Sequence, residues 1–162
     1  MKIIVTVDST DLRILAQLQQ DSALTNHELA ERVHTSPATC LRRVKRLVDT
    51  GVIEGRVAIL SAARLGPGLT AFSEVGLDHQ GAEHVAAFEA RALLEPCVQQ
   101  CHRVSPGPDL MLILALPDMA AYHALVGRLF TQDANVRNVK TFFSTHRSKF
   151  GTAIPLPEFV AN

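Results

Sequence analysis

Apolar residues recur at helical spacing three times within the first fifty positions, and each run begins at a capping signal. Residues 8–11, DSTD, form a cap region before the first run. The second run starts at Thr25, whose hydroxyl can accept from the Glu28 amide while the Glu28 carboxylate reaches back to the Thr25 amide. The third starts at Ser36-Pro37, a side-chain cap followed by a proline that suits the first turn. Only His34-Thr35 separates the last two runs, so the pattern predicts a three-helix core containing a helix-turn-helix.

A helical wheel of the third run separates apolar residues from cations. The expected packing stripe is Pro37, Ala38, Leu41, Val44 and Val48, and the opposite face carries Thr39, Arg42, Arg43 and Arg46. Residues 36 to 46 contain four cations and no carboxylate, which suits a major groove with its phosphates and guanine edges. We expect Thr39, Arg43 and Arg46 to lie nearest the base edges, with Ser36 and Arg42 closer to the backbone. Lys45, at the edge of the packing stripe, is expected to contact phosphate at most. The alternative is an ordinary solvated basic face.

The segment after the third run predicts a wing. Gly51 ends the helix, and VIEGRVAIL reads as two β-prone runs about a turn at Glu54-Gly55. Arg56, just past that turn, is placed to reach the DNA backbone or the minor groove. Together with Asn26, at the start of the second helix, it completes the candidate set for DNA binding: Asn26, Ser36, Thr39, Arg42, Arg43, Lys45, Arg46 and Arg56.

The chain divides at residues 61–68, SAARLGPG, where glycines and a proline cluster. We expect a winged helix-turn-helix domain at 1–60, a linker at 61–68 and a second domain at 69–162. The second domain reads as strand, helix, strand, strand, helix, strand, with its strands at about 69–78, 97–104, 110–116 and 136–145. This βαββαβ order is a ferredoxin-like unit, so the fold class is α+β. Both helices cover one face of such a sheet. The bare face then favours a homodimer.

Composition narrows the classes of protein. The 162 residues are 47% hydrophobic and carry 16 basic and 16 acidic side chains, a balance that fits one local basic helix better than a histone-like coating protein. No run of about 18 apolar residues is present, so we expect a cytoplasmic protein without a membrane span. Cys97, Cys101 and His102 lack a second ligand pair, and we expect no metal, no cofactor and no catalytic residues.

The chain resembles the Lrp/AsnC family of leucine- and asparagine-responsive regulators. The resemblance rests on DSTDLRILAQLQQD, SPATCLRRVKRL, the Gly51-Val52-Ile53 entry, CHRVSPGPDLML, LPDMAAYHALV and the tail TAIPL. It implies a sequence-specific transcriptional regulator that binds double-stranded DNA and whose second half, the RAM or ACT-like domain, dimerises and senses a small molecule. It also implies that dimers assemble into octamers or similar bodies, and that an amino acid binds between dimers.

The same resemblance implies an effector site. Asp109 matches an acidic residue that closes a turn and could take the ammonium group of an amino acid. The other matching positions are Gly107, Met119, Thr131, Phe142, Phe143 and Ser144. The turn departs from the family pattern, because it reads Pro106-Gly107-Pro108-Asp109 and its prolines lack amide donors. The paired phenylalanines favour a large apolar or aromatic ligand side chain.

Two alternatives stay open. Siroheme decarboxylases resemble this two-part architecture, and their inherited helix-turn-helix need not bind DNA, whereas the cations at 42, 43 and 46 favour DNA binding. The other alternative is a mainly architectural DNA-wrapping protein of the same family.

Overall fold

A computed structural model describes residues 6–66 and 68–157, apart from the side chain of residue 63. The chain forms two compact units. The first comprises the residues up to Ile59 together with those from Lys149 onward, and the second comprises Leu60–Ser148.

The first unit is built on the predicted three helices, α1 (Ser9–Gln20), α2 (Asn26–Arg32) and α3 (Pro37–Asp49). Each begins at the expected cap, because Asp8, Thr25 and Ser36 all accept backbone amides of the first turn. His34 adopts a left-handed conformation, with φ 55°, in the turn between α2 and α3. The buried core consists of Ile14, Leu29, Ala30, Val33, Cys40 and Leu47.

The predicted wing hairpin is wrong. After α3 the chain turns through Gly51, and the Ile53 amide donates to the Leu47 carbonyl at 3.0 Å, but residues 54–61 contain no strand. Val57 and Ile59 are exposed there. A β-prone run forms a strand only where it meets a partner strand, and within the described residues of this unit no strand pairs with residues 54–61.

The tail also departs from the expected domain boundary. We expected residues 69–162 in one domain, but the residues from Lys149 onward group with the first unit. The Gln19 side-chain amide donates to the Ile154 carbonyl at 3.1 Å and accepts from the Ile154 amide at 2.7 Å. A carboxamide offers one acceptor and two donors, so Gln19 binds the tail as the edge of a strand would.

The second unit confirms the βαββαβ order. A short helix, α4 (Ala62–Leu65), precedes β1 (Leu69–Leu77), α5 (Ala82–Ala92), β2 (Val98–Arg103), β3 (Leu110–Leu116), α6 (Met119–Leu125) and β4 (Val136–Phe143). A π-helical segment, Val126–Thr131, continues α6. The four strands form one antiparallel sheet in the order β2-β3-β1-β4.

The two faces of the sheet differ in burial. In β3, Leu110, Leu112, Leu114 and Leu116 are buried in one core with Phe88 of α5 and Leu125 of α6, while the alternating residues Met111 and Ile113 are only partly buried. On the same open face, the paired residues Phe72 and Phe142 remain 38% and 45% exposed. The helices therefore cover one face and leave an apolar strip on the other, as the βαββαβ order predicts.

Candidate functional site

The start of α3 is held by polar contacts among three of the candidate residues. The Ser36 hydroxyl accepts the Thr39 amide at 3.2 Å and lies 2.9 Å from the Thr39 hydroxyl. From α2, the Asn26 amide group donates to the Pro37 carbonyl at 2.9 Å. Asn26 therefore ties α2 to the start of α3, while Ser36 and Thr39 cap the first turn of α3.

Arg43 and Arg46 do not point freely outward. Arg43 Nη1 lies 2.6 Å from Asp8 Oδ2 and 2.9 Å from Asp11 Oδ1. Arg46 binds the other Asp11 oxygen through Nη2 and donates to the Thr6 carbonyl at 3.1 Å through Nη1. The Asp11 side chain is 0% exposed. The two arginines therefore fasten α3 to the N-terminal end of α1.

This ion-pair cluster corrects the predicted packing stripe. Cys40 and Leu47 are buried and Val44 is partly buried, whereas Leu41 and Val48 of the predicted stripe are 60% and 46% exposed. The packing side also contains Arg43, whose Nε is buried without a hydrogen-bond partner among the described residues. A cation can occupy this side because Asp8 and Asp11 neutralise it. The helical wheel predicted that all the arginines of α3 point away from the core. In the structure the helix is rotated about its axis, so that Arg43 lies on the packing side instead.

The outward face of α3 includes Ala38, Arg42 and Lys45, all of them exposed, next to the exposed Leu41. Within the described part of the chain, neither Arg42 nor Lys45 makes an ion pair or a side-chain hydrogen bond. Lys45 therefore lies on the outward face itself and not, as expected, at the edge of the packing stripe. Arg56 is exposed as well, in the segment without a strand.

Asp109 lies where β3 begins, next to the end of β1. Its amide donates to the Val75 carbonyl at 3.0 Å, and its Oδ2 accepts the Leu77 amide at 2.7 Å. Gly107, with φ 132°, lies in the turn just before it. Sequence reasoning did not identify the Leu77 amide as the group that orients this carboxylate, because only the strand register reveals it.

The expected effector residues fall into separate places within one chain. Ser144 donates its amide to Thr70 at the start of β1, at 2.8 Å, whereas Asp109 binds Leu77 at the other end of that strand. Seven residues of strand separate these ends by roughly 23 Å at about 3.3 Å per residue. Met119 follows the end of β3 that pairs with the start of β1, and Thr131 precedes the end of β4 that pairs with Leu77.

The two phenylalanines of β4 also separate, because neighbouring residues of a strand point to opposite faces. Phe143 packs edge-on against Tyr122 of α6, with ring centroids 5.0 Å apart. Phe142 lies on the open face, with the Lys140 ammonium 4.7 Å from its ring centroid. Within one chain the two rings therefore lie on opposite faces of the sheet, and a site that both line would have to form between chains, as expected for this effector.

No group of three or more metal-ligating side chains occurs among the described residues. Across the same residues, no helix has the length and apolar character to cross a membrane.

Two family models match the chain. Residues 7–54 match the winged helix-turn-helix DNA-binding family, and residues 70–154 match the Lrp/AsnC ligand binding domain. The leucine-responsive regulatory protein of Rhizobium meliloti is 40% identical over 92% of this chain and 96% of its own. The Escherichia coli K12 protein of the same name is 35% identical over 84% and 83%.

Solved structures agree with these matches. An AsnC family transcriptional regulator from Agrobacterium tumefaciens is 31% identical and superimposes with a TM-score of 0.84 over 92% of this chain and 97% of its own. A transcriptional regulator from Neisseria meningitidis, solved as a complex with L-Met, is 33% identical with a TM-score of 0.82 over 93% and 97%.

The cluster around Asp11 predicts different roles for adjacent arginines. Arg43→Ala should lower the free energy of unfolding by about 2 kcal/mol, because it removes charged hydrogen bonds from a buried carboxylate. Arg42→Ala should change it by less than about 0.5 kcal/mol, the usual range for an exposed side chain. Urea unfolding followed by circular dichroism measures both. Equal losses in the two variants would contradict the assigned orientation of α3.

Asp8 predicts acid sensitivity of the first unit. Hydrogen bonds from the Asp11 amide and the Arg43 guanidinium lower the Asp8 pKa from 3.8 to about 2. Because the folded-state pKa is the lower one, Asp8 stabilises the fold above pH 3.8 and loses this contribution as the pH falls to about 2. The difference in unfolding free energy between wild type and Asp8→Asn should therefore shrink across this range. Asp49→Asn, at the end of α3, is the control. If the difference in unfolding free energy between wild type and Asp8→Asn stays constant across this pH range, the role assigned to Asp8 is wrong.

Proposed function

The chain belongs to the Lrp/AsnC family and is a DNA-binding transcriptional regulator with a ligand-binding half, and we propose that it binds double-stranded DNA through the outward face of α3. The observation that carries this proposal is the pair Arg42 and Lys45, which are exposed near each other on α3 and have no charged partner among the described residues. Two free cations on a helix of this length supply the phosphate attraction that DNA binding requires.

The ion pairs of α3 determine which of its cations can contact bases and which can contact phosphates. Arg43 and Arg46 could approach bases only by leaving Asp11, and an unpaired buried carboxylate costs about 3–5 kcal/mol. We therefore assign base-edge contact to Arg42, nearer the start of the helix, and phosphate contact to Lys45. The N-terminal residues of a recognition helix are the ones that meet base edges, which also favours Thr39. Arg56 is assigned to the DNA backbone.

We further propose that two chains pair through the open faces of their sheets. The strip formed by Phe72, Met111, Ile113 and Phe142 supplies an apolar surface that a second copy can cover. A twofold dimer places its two α3 helices about one DNA turn apart in successive major grooves. Larger assemblies of such dimers could bend or wrap the DNA.

The ligand-binding half leads to a proposed effector, an amino acid with an apolar side chain. The Neisseria meningitidis relative was solved with L-Met. In this chain, Asp109 Oδ1 makes no hydrogen bond within the described residues, so it can accept an ammonium group while Oδ2 holds the Leu77 amide. The expected residues at the two ends of β1 are too far apart to hold one amino acid, so the site is proposed to form between chains.

Exchanging single cations of α3 tests the DNA contacts. Lys45→Ala should weaken specific and random duplexes alike and lower the slope of log affinity against log salt by about 1. Arg42→Ala should cost about 1–3 kcal/mol on the preferred duplex and less on random DNA. Fluorescence anisotropy across a salt series measures both effects. Arg64→Ala, an exposed cation on α4, is the control.

Two outcomes of this experiment would change the assignment. Relaxed base preference in Arg43→Ala with unchanged stability would make Arg43 the base reader. Equal wild-type affinity for its own upstream DNA and for random DNA would favour the architectural DNA-wrapping protein. The relatives compared above are named as regulators, which favours a regulator over a siroheme decarboxylase.

Asp109→Asn tests the effector site. Asparagine keeps an acceptor for the Leu77 amide but removes the charge that binds the ammonium group. Adding L-methionine or another apolar amino acid should change the mass and DNA affinity of the wild type and leave those of Asp109→Asn unaltered. Light scattering and anisotropy measure these changes, with Glu83→Gln on α5 as the control. A wild-type response retained by Asp109→Asn would remove Asp109 from the site.

A further inference from the structure

Two apolar side chains lie beside the free cations on the exposed side of α3. Ala38 and Leu41 are three positions apart, so they lie about one helical turn apart on neighbouring parts of the surface. Both are exposed, and Leu41 leaves 60% of its surface open. Arg42 and Lys45 flank them. A leucine this exposed, next to two cations that have no charged partner in the described ranges 6–66 and 68–157, points to a polyanion that also presents apolar groups.

We infer that Ala38 and Leu41 contact the C5-methyl groups of thymines in the major groove and make the preferred DNA site depend on thymine at those positions. This inference rests on the proposed function and names the bases that it selects. Thymine is the only base with a methyl group in the major groove, and apolar side chains are its usual contacts. Ala38 and Leu41 are the second and fifth residues of α3, within the part of a recognition helix that meets base edges.

The positive charge around Ala38 and Leu41 favours DNA over another protein as the partner of these apolar side chains. Arg42 and Lys45 bring the exposed side of α3 to phosphates, and no acidic side chain occurs on α3 before Asp49. Val48 lies on the same side as Leu41 and is 46% exposed. It follows Leu41 by seven residues, about 10 Å along the helix, so it lies towards the far end and provides a matched control.

Replacing thymine by uracil tests the inference, because the exchange removes one methyl group and keeps base pairing. The probe is a duplex selected from a random pool by the wild-type protein, with each thymine replaced singly by uracil. One or two replacements should weaken wild-type binding about 3- to 5-fold each, the effect of losing one apolar methyl contact. Leu41→Ala should weaken binding to the thymine duplex by a similar factor and should lose sensitivity at one of these positions. Ala38→Ser should reduce sensitivity at the other.

Val48→Ala should bind and discriminate as the wild type does. Helical circular dichroism verifies that Leu41→Ala and a second variant, Leu41→Gln, are folded before binding is compared. The inference is overturned if no uracil replacement weakens wild-type binding, or if Leu41→Ala keeps the full wild-type pattern. A changed oligomeric mass with unchanged uracil sensitivity would instead assign Leu41 to a contact between chains. If the wild type selects no duplex at all, it is the proposed DNA-binding function that fails.

Discussion

The buried carboxylate of Asp11 constrains the whole first unit. A charge taken out of water costs several kcal/mol unless it is paired and hydrogen-bonded, and Asp11 is 0% exposed with an arginine on each oxygen. Both arginines come from α3, and the Asp11 carboxylate also accepts the Asp8 amide at 3.0 Å. The beginning of α1 therefore sets the rotation of α3, and through it which side chains of α3 remain free to meet DNA.

This constraint explains what could be predicted about α3 and what could not. The capping residues Thr25 and Ser36 act within a few positions, so the sequence predicted where α2 and α3 begin. The rotation of α3 depends on a partner more than thirty residues away, and an arginine on the packing side looks the same in a sequence as one in solvent. The sequence did contain one signal for this contact, the spacing of charges. Asp8 and Asp11 are three positions apart, as are Arg43 and Arg46, so the acidic pair at the start of α1 can face the basic pair on α3.

The remaining elements also show that local patterns predict structure better than contacts between distant residues do. Apolar runs and alternation predicted the strands, the βαββαβ order predicted the open face, and the sheet confirms both. The hairpin after α3 failed because β-propensity does not supply a partner strand. The position of the tail was not predicted, and one of its contacts, Gln19 with Ile154, joins residues 135 positions apart through a polar side chain. Hydrophobic patterns carry no information about such a contact.

The separation of the proposed effector residues would connect ligand binding with assembly. One amino acid spans only several ångströms, whereas the two ends of β1 are roughly 23 Å apart. A ligand that touches Asp109 of one chain and residues such as Phe143 or Ser144 must therefore take the latter from another chain. Such a ligand binds the associated form more tightly than the separate chains, and linkage then requires association to shift with ligand concentration. If DNA binding requires two paired α3 helices, as proposed, a ligand that shifts the pairing of chains also shifts DNA affinity.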